Sequence, residues 1–385
     1  MRKGTPRLSR LSRFSRLSRF SRYSRYSRFS SNNNPLKKYT MEGKKYLYPN
    51  DYMADPAAHV FNGKLFIYPS HDWEAGADED DDGGHFQMKD YHALSFDDLE
   101  NGQATDHGVI FAVEDVPWAE KQLWDSDVVE KDGKYYYIFS AKGYDGVFRL
   151  GVAVADKPEG PFIPQPQPIR GSFSIDPCVF KDDDGSIYTY FGGLWGGQLQ
   201  WWQPLAPGFE PVHGKHGDEN GLVDLGSEPT RQGELFAQPD APALPSFVVK
   251  MSDDVLQFAE APRRVVILDE DGQPLKASDP HRFFEASWMH KYNGKYYFSY
   301  STGDSHFLCY AIGDNPYGPF TYQGVILTPV VGWTTHHAIA EYKGKWYLFH
   351  HDCVPSNDKT WLRSLKVCEL HYDADGKIQT IEGLD

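Results

Sequence analysis

Five acidic or imidazole side chains stand at matching places along this chain. Asp55, Asp125, Asp176, Glu285 and His336 each precede a turn glycine (Gly63, Gly133, Gly185, Gly294 and Gly344) by eight or nine residues. Asp127 competes with Asp125 for the second place. Carboxylates and an imidazole brought together repel or retune one another unless chemistry or a cation compensates. Such a set suits cleavage of a glycosidic bond, where one acid protonates the leaving oxygen and another activates water or attacks the sugar. Indole faces would complete a sugar site, and Trp73, Trp124, Trp288 and Trp333 all lie near a leading position. The plainer alternatives are acids facing solvent at strand starts and tryptophans buried in the core.

Positioning five such residues at one point requires a repeated element. Each lies at the head of a phrase with a short apolar stretch, a turn ending in Gly and an aromatic strand: DPAAHVFNGKLFIY, DSDVVEKDGKYYYIFS, DPCVFKDDDGSIYTYFG, EASWMHKYNGKYYFSYS and HHAIAEYKGKWYLFHH. Asn62-Gly63, Asp132-Gly133, Asp184-Gly185 and Asn293-Gly294 favour tight hairpins, because positive φ is cheap there. A second echo, VAVADKPEGPF against YAIGDNPYGPF, supports the repeat. Five strand–turn–strand units predict an all-β, five-bladed β-propeller, whose innermost strands line a central channel. The 109 residues between Gly185 and Gly294 place a long insertion after the third blade. Residues 364–382 are expected to supply the outer strands that close the ring.

The balance of charge narrows the partners. Of 385 residues, 39 are basic and 54 acidic, for a net charge of -15. The first forty hold twelve basic groups and no acid, so the remainder carries 27 basic against 54 acidic groups. A body so acidic repels phosphate backbones, which argues against nucleic acid. No stretch reaches the roughly 18–20 apolar residues of a membrane span. Cys178, Cys309, Cys353 and Cys368 have no metal-binding spacing. From Arg7 to Ser30 the chain repeats Arg-X-Ser eight times, a period that forms neither a helical nor a strand face. It is read as a basic low-complexity extension over 1–40, with the folded domain at 41–385. Without an apolar signal core, cytoplasmic hydrolysis of imported oligosaccharides is the expected setting.

Other signals weigh less. Asp78 to Gly83 imitates the start of an EF-hand loop, but position twelve is Lys89, so a solvated acidic loop or a pocket rim is the expectation. Asp182, Asp183 and Asp184 read as turn chemistry. Trp195, Trp201 and Trp202 open the insertion as a lid, a sugar platform or local packing.

In combination these motifs resemble glycoside hydrolase family 43, the five-bladed enzymes that include β-xylosidases and α-L-arabinofuranosidases, over about Tyr48 to Ile381. The resemblance implies that Asp55 is the general base, Glu285 the general acid, and Asp176 the aspartate that orients the acid and tunes its pKa. It aligns His336, or His337 after a one-residue slip, with an axial histidine that meets a calcium ion or its waters, and it places Asp127 at the acid of a Trp-Ala-Pro-Asp phrase that here reads Trp124-Asp125-Ser126-Asp127. Trp73, Trp124, Asp127, Trp288 and Trp333 are the implied substrate-binding residues. The implied activity is exo-acting and inverting, releasing xylose from β-1,4-xylo-oligosaccharides of plant cell walls. The alternatives are an α-L-arabinofuranosidase or bifunctional enzyme on arabinoxylan or arabinan, and a non-catalytic sugar-binding propeller. The sequence leaves the oligomeric state open.

Overall fold

The computed structural model describes residues 45–76, 78–100, 102–201, 240–303 and 305–384. The Arg-X-Ser extension and the middle of the insertion, with Trp202, lie outside the described residues. Five antiparallel sheets follow one another along the chain. The first blade is Met53–Phe61, Lys64–His71, Asp90–Phe96 and Thr105–Ala112. The second runs from Ser126–Lys131 through Lys134–Gly143 and Phe148–Ala155 to Ile163–Pro164, with Ala119–Lys121 paired to the far end of its second strand. The third comprises Cys178–Lys181, Ile187–Phe191, Phe247–Lys250 and Arg263–Arg264. The fourth comprises Glu285–Tyr292, Lys295–Ser301, Leu308–Gly313 and Phe320–Leu327, with Ile267–Leu268 added in parallel. No helix among the described residues is long and apolar enough to cross a membrane.

Three of the four predicted tight turns close as expected: Asn62, Asp132 and Asn293, and Lys343 with them, take φ near +50°, each followed by a glycine at +74° to +78°. Asp184 does not, because the third blade turns through a longer loop between Lys181 and Ile187 in which the Gly185 N–H donates to the Asp182 carbonyl at 2.9 Å. Two further expectations need correction. The long segment does not follow the third blade but interrupts it, because Phe247–Lys250 returns to pair with Ile187–Phe191. The ring is not closed by 364–382 alone: Ser364–Leu370 is the third strand of the last blade, after Ala338–Tyr342 and Lys345–Asp352, and Lys45–Tyr46 supplies its outermost strand. Residues beyond Leu370 instead fold back on the fourth blade, with Ile381 bridging Leu327.

Aromatic residues fill the space between blades, and their hydroxyls join neighbours. Tyr68 of the first blade donates to the Pro158 carbonyl at 2.7 Å, and Tyr190 of the third donates to the Pro316 carbonyl at 2.6 Å. Pro158 and Pro316 sit at matching places in the two echoed phrases, which marks the echo as a docking loop for the preceding blade's buried tyrosine. A buried hydroxyl needs such a partner.

Asp127, placed by the sequence at the sugar, serves this same architecture. Its carboxylate meets His59 Nε2 of the first blade at 2.5 Å and accepts from Val179 N of the third at 2.6 Å. It thus ties three inner strands together. Asp182 ties the third blade to the fourth through Lys291 Nζ at 2.9 Å and the Tyr296 hydroxyl at 2.7 Å, so the Asp triplet does more than shape a turn.

The closing strand is held by more than its ladder. Tyr46 donates its hydroxyl to Asp352 at 2.9 Å, Lys366 pairs with the same buried carboxylate at 2.9 Å, and Lys45 Nζ donates to the Gly102 carbonyl at 3.0 Å. A hydrogen bond to a charged group is worth about 1.5–3 kcal/mol. A chain beginning at Pro49 is therefore expected to melt several degrees below one beginning at Met41; equal thermal midpoints by calorimetry would show that the strand is not a clasp.

Candidate active site

The inner strands deliver their leading residues to one cleft of about 280 Å³, lined by Asp55, Asp125, Asp176, Ser287, Trp288, His336 and His337 among others. Glu285 reaches the same point. His336 Nε2 is 3.4 Å from Glu285 Oε1 and 3.8 Å from Asp176 Oδ2, while Nδ1 is 3.8 Å from Asp55 Oδ1 and in direct contact with Asp125. Asp55 and Glu285 thus flank one imidazole, which caps the separation of these oxygens at about 9.5 Å, the upper end of the range for an acid and base with a water between them.

The backbone at these points is unusual. Asp55, Asp176 and Ala286 have φ of 48°, 59° and 60°, left-handed values that a non-glycine residue adopts at a cost. The pairing slips beside two of them, between Ala54 and Ala57 and between Glu285 and Trp288. In the fourth blade it is Ala286, not Glu285, that occupies the backbone place of Asp55. Glu285 enters the cleft one residue early, which explains its nine-residue spacing to Gly294; the nine residues from Asp176 to Gly185 come from a longer turn between Lys181 and Ile187.

Each acid is held differently. The Asp55 N–H donates to His351 Nδ1 at 3.1 Å, and the other nitrogen of that ring meets the Thr334 carbonyl at 3.0 Å. Burial holds His351 down at about 3, so it is neutral, with the proton on Nε2. Asp55 Oδ1 accepts from Arg363 Nη1 at 2.6 Å, whereas the buried Oδ2 has no hydrogen-bond partner. Burial pushes the Asp55 carboxyl up, but the charges of Arg363 and His336 hold it below the usual aspartate value. The Arg363 guanidinium is itself clamped by Asp72, through Nε at 2.9 Å and Nη2 at 2.7 Å, the bidentate fork geometry of a strong pair. Burial raises Asp72 to about 6 despite that clamp.

Asp176 Oδ2 accepts from the Ala286 N–H at 2.9 Å and so fixes the backbone beside Glu285; its Oδ1 is buried without a partner. Burial and the charges of Asp125 and Glu285 push Asp176 well above the usual range. The sequence reading has Asp176 retaining the proton on Glu285; in the structure the upward push falls on Asp176 itself, which has an oxygen within 4.8 Å of Glu285. Burial opposes a charge on His336, yet Asp125, Asp176 and Asp55 raise it well above its ordinary value, making it an imidazolium. Its neighbour His337 faces Ser299 Oγ at 2.6 Å and is held neutral by burial and by the surrounding histidines.

Of the four tryptophans, Trp288 lines the cleft, with its indole N–H donating to the Ile339 carbonyl at 3.2 Å. Trp124 packs with Phe86, Met88, Phe148 and Ile175 in a small buried cluster, so it is core, not a sugar platform. Trp73 and Trp333 are part-exposed, and neither lines the cleft. Trp195 packs edge-on to Phe284, the neighbour of Glu285, at 5.5 Å. Asp80 Oδ1 accepts from Gly84 N at 2.9 Å, ordinary turn bonding in the acidic loop. Sequence reasoning missed Arg363, Asp72, His351 and Thr334. Their signal is a pair of cations, Arg363 and Lys366, in the otherwise largely apolar TWLRSLKV, which if buried must be paired.

Residues 84–215 match the model of the glycosyl hydrolases family 43. A β-xylosidase of Xylanibacter ruminicola is 67% identical over 339 residues, 88% of this chain and 99% of that protein. The chain belongs to glycosyl hydrolase family 43. A xylosidase/arabinosidase of Bacteroides ovatus is 64% identical, covering 89% of this chain and 98% of that one. The solved RS223 β-xylosidase is 60% identical with a TM-score of 0.81, covering 90% of this chain and 100% of that one. The family 43 β-xylosidase/α-arabinofuranosidase CoXyl43 from a compost microbial metagenome, solved with xylotriose in a calcium-free form, is 53% identical with a TM-score of 0.81, over 88% and 97% of the two chains. This family 43 chain is therefore a glycoside hydrolase with a carbohydrate substrate.

Arg363 is the group that keeps Asp55 ionised in a buried place. Arg363→Gln leaves the burial of Asp55 opposed by the His336 charge and the Ser70 hydroxyl, so its pKa rises and the acid limb of the kcat/KM profile should move to higher pH; Arg363→Lys should move it less. An acid limb unchanged in both variants would separate Arg363 from the ionisation of Asp55.

Proposed function

We propose that this family 43 enzyme is an exo-acting, inverting β-xylosidase that releases xylose from β-1,4-xylo-oligosaccharides, with Asp55 as base, Glu285 as acid and Asp176 as the residue that orients it. The observation that carries the reading is Asp55 and Glu285 on opposite sides of one small cleft, joined to 67% identity with a protein named β-xylosidase.

The chemistry follows from the contacts. Asp55 Oδ2, buried and unpartnered, accepts a proton from a water that attacks the anomeric carbon. Glu285 gives its proton to the leaving oxygen, and the carboxyl of Asp176, fixed to the Ala286 N–H, restrains the acid's backbone. Trp288 offers an apolar wall to the sugar face. Since water attacks directly from the face opposite the leaving group, the anomeric configuration inverts.

Calcium at the axis is a separate proposal. The residues present fit a cation: four carboxyls crowd one imidazole, and Asp176 Oδ1 is an orphaned oxygen. His336, on losing its proton, and Asp125 would hold it. When bound it would supply positive charge otherwise carried by the imidazolium. A second substrate reading, activity on α-L-arabinofuranosides as well, is favoured by relatives named xylosidase/arabinosidase at 64% and 57% identity.

Glu285→Ala should lose about 10²–10⁴-fold in kcat on xylobiose but far less on an aryl xyloside whose leaving group needs no proton. Equal losses on both would remove Glu285 from the acid's role. Asp55→Ala should be inactive on both, and proton NMR of the wild-type reaction should show the α-anomer of xylose first. Chelation should lower kcat and added calcium restore it; an unchanged rate would set the calcium proposal aside.

A further inference from the structure

The first blade carries a second cluster that takes no part in lining the cleft. His71 ends its second strand, and Asp90 and His92 begin its third. One ligand atom from each lies within 4.8 Å of the other two, and all three residues are largely buried. The rings of His71 and His92 approach to 4.6 Å between centroids. His71 Nδ1 is 2.5 Å from Asp90 Oδ1, and Trp73 donates its indole N–H to that same oxygen at 3.4 Å.

The outer contacts give the cluster its meaning. His71 Nε2 faces Asp51 Oδ2 at 3.3 Å, and His92 Nδ1 faces Asp106 Oδ1 at 2.9 Å. Asp106 is fixed in turn by the Tyr48 hydroxyl at 3.0 Å and the Gly108 N–H at 2.8 Å. Each imidazole therefore has its own carboxylate on one nitrogen, the arrangement that orients histidine ligands at metal centres. Three carboxylates surround two imidazoles, and the nearby cation Lys89 lies over the Trp73 ring at 5.0 Å.

We infer that His71, Asp90 and His92 form a binding site for a divalent transition-metal ion of the zinc type, distinct from the acid cluster at the axis. Two nitrogens and one carboxylate oxygen are the donor set such ions take, leaving one position to water. The ion replaces the proton between His71 Nδ1 and Asp90, and that proton leaves to solvent. Tetrahedral bonds of about 2.0–2.2 Å set ligand atoms roughly 3.4 Å apart, so His71 Nδ1 and Asp90 Oδ1, now at 2.5 Å, would open slightly to admit the ion within a set already held inside 4.8 Å. Trp73, which the sequence assigns to sugar binding, sits at this site.

The test is calorimetric titration of zinc chloride into the full chain, stripped of metal beforehand, at neutral pH. In His336→Ala, which removes the axial cluster's imidazole, one equivalent should still bind, weaken about 10–100-fold on adding Asp106→Asn, and be lost on adding His92→Ala. An equivalent that survives His92→Ala in that background, or no equivalent bound by His336→Ala, overturns the assignment. If His92→Ala does not fold, zinc-edge anomalous scattering from crystals of the unaltered chain decides: a peak between His71 and His92 supports the site, and no peak there overturns it.

Discussion

Bringing Asp55, Asp125, Asp176 and Glu285 into one cleft sets the constraint on which the site depends. Buried carboxylates remain ionised only where positive charge or hydrogen bonds replace lost water. Two cations meet that need in different ways. Arg363 is anchored from behind by Asp72 and reaches Asp55 alone; His336 stands among all four acids. The outcome is asymmetric: Asp55 is held down and Asp176 pushed up.

The frame supplies the precision that such chemistry demands. Asp127, Asp182 and the Tyr68 and Tyr190 hydroxyls link the first four blades to one another, so their leading residues are fixed relative to one another as well as within each blade. The left-handed backbone at Asp55 and Asp176 is tolerated because such contacts over-determine it: His351 binds the Asp55 N–H, and Asp176 binds the Ala286 N–H.

Much of this was legible in the chain. Repetition exposed five blades, because each hairpin needs a turn glycine at a fixed distance from an inward-facing head, and the same count found Asp55, Asp176, Glu285 and His336. The choice between Asp125 and Asp127 was not legible, since residues two apart share one face of an extended strand and both are acidic; the structure begins the strand at Ser126 and gives Asp125 to the cleft and Asp127 to the frame. Arg363 was hidden because it lies outside the repeated phrase, just ahead of the last blade's third strand, where pairing across 291 and 308 residues of sequence leaves no local pattern. Trp124 looked like a sugar wall only because aromatic content cannot distinguish packing from display. The position of the insertion, inside a blade, was equally invisible from spacing between glycines.

The closing strand has a bearing on how the molecule is made. Lys45–Tyr46 pairs with Ser364–Leu370, and the base candidate of the first blade takes both its backbone partner and its guanidinium from the last blade. During synthesis the early blades can collapse as they emerge from the ribosome, yet Asp55 stays without its counter-charge until the final segment is released. Maturation of the reactive centre and sealing of the ring are thus one event, and a prematurely terminated polypeptide has neither.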